Sequence, residues 1–278
     1  METTRLSQEH RQIILDTIST LAPCTAFAFG YRSADKQSTS AITQTNTTAQ
    51  NHHIDVLVFS SNTKPNAAID AANLVRERSN GEITVSLLLH KPTDLTTRQP
   101  CLQWFFWHIL HQSQRLCLDK TAVPYLSDDN KPTRDVVAIN QHWLKCEAVA
   151  GFYLNTASEN PHLEVELIKV TLLHQAAQHT ALGLIRIFLG YTPNEYNLSF
   201  LLSLCAHFTN LPSQCFPRQT PVEQKRFKML CAPPSMLRHW NRLDAHETDF
   251  DILLQSCKAF LTDAKELAAT ALRKFNNQ

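Results

Sequence analysis

The sequence predicts an α+β amino-terminal half, a mixed sheet with flanking helices, followed by an all-α carboxy-terminal bundle of four or five helices. Three observations carry this. Apolar runs of strand length, CTAFAF (24–29), HIDVLVFS (53–60) and EITVSLLL (82–89), fall in the first half among helical stretches. Beyond residue 134 the apolar positions recur at steps of three and four, the helical period. Between the two, residues 119–133 hold Pro124, Asp128, Asp129, Asn130 and Pro132, a breaker-rich composition that marks a boundary. The expected division is 1–126, a linker at 127–133, and 134–278, each part near the usual domain size.

Gln8 to Leu21 reads as an amphipathic helix, with Ile13, Ile14, Ile18 and Leu21 on one face and Pro23 closing it. Residues 24–33 read as a buried strand running into a glycine turn at Gly30. The Ser/Thr/Asn/Gln-rich stretch 34–51 is too polar to pack and reads as a mobile loop whose role the sequence leaves open. His53–Ser60 is the clearest strand. Asn66–Arg78 follows as a helix, Glu82–Leu89 as a third strand, Cys101–Gln112 as an aromatic-rich helix and Arg115–Leu118 as a short fourth strand.

In the second half a helix is expected from about Arg134 to Leu154, with Val136, Ile139, Trp143, Cys146, Ala150 and Leu154 on one stripe. The turn ASENP (157–161) leads into a long helix from Leu163, ended by Gly190 and kept from resuming by Pro193. Residues 198–208 read as a short helix, 209–220 as a proline-containing loop, and Glu223–Leu230 as another short helix. Thr248–Phe275 has the strongest helical periodicity and is expected to pack against the long helix.

Composition narrows the function classes. Lys and Arg number 26 against 25 Asp and Glu, a formal charge of +1, so any nucleic-acid binding needs a local basic patch. The 8 cysteines show no C-x-x-C pair and no metal-ligand spacing, and read as reduced thiols of a cytoplasmic protein. His108 with His111 lacks a third metal ligand in the sequence, and His174 with His179 has a poor ligand spacing of five. No apolar run reaches membrane-spanning length, so no membrane partner is expected.

The long helix carries a polar patch at its middle. His174 lies on the apolar stripe, Gln175, Gln178 and His179 stand beside it, and Arg186 follows on the side of His179. Gln175 with His179, and His174 with Gln178, are spaced by four, which gathers donors and acceptors on one strip. Satisfied core or interface side chains are one reading. Completed by Arg186, Asn197 or Arg226, a pocket for an anionic or nucleotide ligand is the other.

LHQAAQH (173–179) followed by Gly190, Tyr191, Pro193, Tyr196, Asn197 and Leu198 resembles the HEPN family, over about 25 residues. Arg226-Phe227 resembles an Arg-Tyr found late in such domains. The resemblance implies a helical bundle that pairs through its long helices, hence a homodimer. HEPN ribonucleases use R-x(4–6)-H; the nearest candidates here are Arg242 and His246, at R-x3-H, a departure from that motif.

Helix, strand, glycine, polar loop, strand, helix, strand, and then FFWHIL-x-x-S-x-x-L resemble the minimal nucleotidyltransferases of the DNA polymerase beta superfamily. There a Gly-Ser after the first strand holds phosphate, and D-h-D on the next strand holds Mg²⁺ with a third acid. The resemblance places Gly30, Arg32, Ser33, His53 and Asp55 at the nucleotide, with Asp55 as the catalytic and metal-binding candidate. Tyr31 stands at the serine position, His53 replaces the first acid, and the third falls near Val85 or Ser86. One carboxylate and an imidazole suit a hard oxygen-seeking ion poorly. The expectation is a nucleotide- or RNA-binding protein whose nucleotidyltransferase-like half is inactive. Alternatives are an active transferase using Mg²⁺ and a nucleoside triphosphate through Asp55 and Glu82, a HEPN ribonuclease, or a dimeric scaffold.

Overall fold

The computed structural model describes residues 8–21, 24–32, 39–40, 52–61, 66–96, 100–117, 131–159, 166–233, 235 and 247–276. Among these the fold is mixed α+β, with a sheet in the first half and helices in the second. Two compact units emerge. The first is Met1–Asp135 with Leu189–Tyr191 and His207–Thr209; the second is Val136–Phe188, Thr192–Ala206 and Asn210–Gln278. The chain thus returns twice to the first unit after leaving it.

The first unit runs α1 (Gln8–Ile18), β1 (Cys24–Arg32), β2 (Thr39–Ser40), β3 (His52–Ser60), α2 (Ala67–Arg78), β4 (Ile83–His90), α3 (Pro100–Gln112) and β5 (Gln114–Cys117). β1 lies antiparallel to β3, and β3 parallel to β4. The other edge of β1 takes β5 beside Ala26–Ala28 and β2 beside Gly30–Tyr31. One sheet face is apolar: Ala26, Ile54, Val56, Val58, Ile83, Val85 and Leu87 meet Ile14 and Ile18 of α1 and Ala71 and Val75 of α2. Alternation then forces His53, Asp55, Leu57 and Phe59 to the opposite face.

Three first-half expectations change. Gly30 is inside β1, paired with Asp55, and not in a turn; the irregularity is a bulge at Phe29, between Ala28 and Gly30. The helix from Gln8 tightens into a 3₁₀ turn at Ser19–Leu21, where the Ser19 and Thr20 hydroxyls donate to the carbonyls of Asp16 and Thr17. Part of the polar stretch 34–51 is a strand, because the edge of β1 beyond β5 is open to Thr39 and Ser40; residues 34–38 and 41–51 lie outside the described residues.

The second unit holds α4 (Val136–Glu159), α5 (Glu166–Leu189), α6 (Leu198–Cys205), α7 (Leu211–Cys215), α8 (Pro221–Cys231) and α9 (Glu247–Asn276). α9 packs chiefly along α4 and touches α5 where Cys257 Sγ meets the Leu173 carbonyl. The small buried side chains Ala150 and Ala157 of α4, and Ala264, Ala268 and Ala271 of α9, suit close approach of two helix backbones. Gly183 of α5 does the same for Trp143, whose Cε3 lies 2.7 Å from where a Cβ would stand. α4 runs on through Ala157–Glu159, where a turn was expected, because Thr156 and Ser158 bond back to the carbonyls of Phe152 and Leu154. The expected loop 209–220 contains α7: Asn210 offers its carbonyl to the N–H groups of Ser213 and Gln214, and Pro212 fits the first turn. No helix among the described residues is long and apolar enough to cross a membrane.

Candidate functional site

Gly30, Arg32, His53 and Asp55 do come together, on the sheet face away from α1 and α2. Register sets this. Gly30 pairs with Asp55 and Arg32 with His53 across β1 and β3, and Asp55 pairs with Ser86 across β3 and β4. Asp55 has no solvent exposure. Arg32 Nη2 donates to its two oxygens at 3.3 and 3.2 Å, and His207 Nδ1 donates to Oδ2 at 3.1 Å. His53 Nε2 lies 3.3 Å from Oδ1 and 3.0 Å from Ser86 Oγ. A carboxylate only accepts, so Nε2 of His53 carries its proton and Nδ1 accepts from the Thr84 hydroxyl at 2.7 Å.

Burial alone would raise the Asp55 pKa. Arg32 first, then His53 and the hydrogen bonds from His207 and His53, overcome it and hold the carboxyl well below its usual range. His53 moves the other way from a typical acid partner: burial, aided by Arg32, lowers its pKa and keeps the imidazole neutral. The Gly30 position is what admits His207, since a Cβ there would stand 2.4 Å from the imidazole Cε1 and 2.6 Å from Asp55 Oδ2.

The donor set does not fit magnesium. It offers one carboxylate already ringed by a guanidinium and two imidazoles, and a serine where a further acid was sought. Glu82 is exposed and precedes β4. Among the described residues no three His, Cys, Asp or Glu side chains gather in a metal-binding arrangement. Ser33, Arg242 and His246 lie outside the described residues.

On the polar strip of α5, His179 and Arg186 both lie near enough to His142 to help lower its pKa after burial, and other members bond locally. His174 Nδ1 donates to the Leu230 carbonyl at 2.9 Å and is buried; Gln178 donates to the Tyr196 carbonyl at 2.5 Å. His179 stacks on Tyr153, Arg186 donates to Thr192 Oγ1, and Gln175 is half-buried. Asn197 caps α6 through Phe200 N–H, and Arg226 Nε pairs with Asp249 at 2.6 Å.

Sequence reasoning missed His207 and a second buried chain of bonds. Asp94 accepts from His90 Nδ1 at 3.0 Å, and His90 Nε2 accepts from the Tyr191 hydroxyl at 2.7 Å. His90 continues the Ser86–Leu88 alternation of β4, which is the one pattern that points to it.

These histidines predict an acid-labile fold. Burial is the leading cause of the lowered pKa of His53, His90 and His174, each below the ordinary value of 6.5. The unfolded chain therefore binds more protons below that value, so stability is full above it and falls as pH drops toward the folded pKa values. Asp55 adds a further loss as pH falls below the ordinary carboxyl value of 3.8. Urea midpoints are expected to be level from pH 7 to 8 and to decline from about pH 6.5 downward; a level curve to pH 5 contradicts this. No protein-family model matches the chain, and no curated protein or solved structure matches it.

Proposed function

We propose that this chain binds a nucleotide or RNA and does not carry out metal-dependent nucleotidyl transfer. In this reading the first unit is a nucleotidyltransferase-like domain, the second a HEPN-like bundle, and the protein is cytoplasmic. The observation that supports it is the enclosure of Asp55: the carboxylate that would grip Mg²⁺ faces Arg32, His53 and His207. The element order of the first half and the residues 173–198 supply the family reading, and the buried thiols of Cys146, Cys205 and Cys257 agree with a reducing compartment. A thermal-shift panel of nucleoside mono-, di- and triphosphates, with and without Mg²⁺, together with RNA retention, tests it. A Mg²⁺-independent shift, or retained RNA, is expected. Transfer of label from ATP that needs both Mg²⁺ and Asp55 would overturn the inactive half of the reading; no response to any nucleotide or RNA would overturn the rest.

A second reading, the dimeric scaffold, draws on α4. Val137, Leu144 and Phe152 are 68%, 54% and 66% exposed. Steps of seven and eight put them on one side of the helix, an apolar stripe facing water. Light scattering expects a dimer that Phe152→Glu dissociates; a monomer at all concentrations removes this reading.

A further inference from the structure

We propose that α3 and residues 131–134 form a binding platform for a single-stranded polynucleotide, built from Trp107, His111, Lys131 and Arg134. The inference rests on the nucleotide- or RNA-binding reading and assigns it a place that the buried Asp55 cluster does not provide.

The platform is a ladder of rings and cations within the first unit. Arg134 Cζ sits 3.7 Å over the Trp104 ring, and the Trp104 and His108 centroids are 3.9 Å apart. His108 meets Trp107 edge-on at 5.0 Å; His111 stacks on Trp107 at 4.4 Å, and Lys131 Nζ lies 5.6 Å from the same ring centroid. Trp104 and His108 are buried, Trp107 and Arg134 half-buried, His111 and Lys131 exposed. The inner rungs are therefore fixed and the outer ones meet solvent.

Two cations, Lys131 and Arg134, lie on these rings although the whole chain is near neutral. Residues 95–118 contain no Asp or Glu, and Asp119, Asp128 and Asp129 follow in the sequence. Among the described residues, the cations Lys131 and Arg134 both lie close enough to act on the buried His108. Asp135 is the next residue after Arg134 and is exposed. This is the local basic patch that a chain with a formal charge of +1 needs for binding phosphates.

The aromatic component decides the ligand class. An exposed lysine over a ring is held by a cation–π contact that changes an equilibrium only about two- to fivefold. A nucleobase stacked on an aromatic side chain contributes about five- to 150-fold. A base therefore wins the Trp107 face, and the ammonium it displaces is free to meet the adjoining phosphate. Trp107 offers one more group: its Nε1–H is buried without an acceptor among the described residues, an orphaned donor in a cationic setting. An acidic peptide would meet the cations but leave the ring faces unused.

The test is fluorescence anisotropy of fluorescein-labelled ten-nucleotide uridine RNA and its thymidine DNA counterpart on the full chain, over a salt series. Lys131→Gln, at an exposed position, is expected to weaken binding several-fold and to make the log–log salt slope shallower by about 0.7. Trp107→Leu is expected to weaken binding about five- to 150-fold with little change in that slope. Binding of either strand supports the platform, and the preferred one names its source. If the wild type binds but both variants bind equally well, the platform is wrong and the parent reading survives. If mononucleotides shift the melting temperature while neither strand binds, the platform is again overturned. Silence to mononucleotides and strands alike overturns the parent reading as well. Equal competition by a polyglutamate peptide of matched charge overturns the assignment to a polynucleotide.

Discussion

Asp55→Ala is expected to lower stability by about 3–5 kcal/mol, read as a lower urea midpoint at pH 7.5 with an unchanged slope. The carboxylate is wholly buried and Arg32 is 4% exposed, so its loss removes the opposite charge that faces a buried guanidinium. His207 and His53 lose an acceptor at the same time. The double variant Arg32→Met/Asp55→Ala should recover much of the loss, since replacing a buried pair by apolar side chains is often neutral or stabilising. The pair of measurements separates two meanings of Asp55. A carboxylate that serves to hold Mg²⁺ can be removed at little cost to folding and at full cost to ligand response. One that serves Arg32 and the imidazoles behaves the opposite way. A wild-type midpoint for Asp55→Ala would sink the enclosed-cluster account.

How much of this was legible depends on the range over which each feature is encoded. β3 and β4 were readable because β-rich apolar runs are local, and the placing of His53 and Asp55 on one sheet face follows from the two-residue period of a strand. Gly190 closing α5 was readable too, and its φ of 61° is the left-handed value that favours glycine. Partners separated by long stretches of chain were not. Asp55 and His207 stand 152 residues apart, and no periodicity links a strand in the first half to the turn after α6. The α5 strip shows the limit of spacing as a guide. Four-residue spacing aligned His174, Gln175, Gln178 and His179, but spacing says nothing of what faces the strip. There the Leu230 and Tyr196 carbonyls and the Tyr153 ring take up individual members. α7 was missed because its helix is set by one carbonyl, that of Asn210, and not by an apolar stripe.

Gly30→Ala is the sharpest discriminator between what the glycine resembles and what it does. In a phosphate-binding strand end, glycine lets the backbone approach a ligand, and alanine there would cost binding more than folding. Here Gly30 lies inside β1 and is not among the glycines with left-handed backbone, so its conformation would suit any residue. Space is what requires it. A Cβ would stand 2.4 Å from His207 Cε1, 2.5 Å from His207 Nδ1 and 2.6 Å from Asp55 Oδ2, distances that real Cβ atoms do not adopt. Neither neighbour is the loose end of a flexible chain: His207 is 3% exposed and held by its bond to Asp55 and by Phe29, 5.3 Å away between ring centroids. Overpacking of this kind costs about 1–3 kcal/mol, and displacing the imidazole adds the loss of a buried hydrogen bond. In the His207→Ala background the main obstacle is gone, so the same substitution should cost much less, with a coupling of about 0.5–3 kcal/mol in a double-mutant cycle. Strict additivity, within about 0.5 kcal/mol, would mean that Gly30 and His207 do not share the space assigned to them. The ligand arm completes the argument: if Gly30→Ala leaves the urea midpoint intact but abolishes the nucleotide response, the glycine serves a phosphate after all.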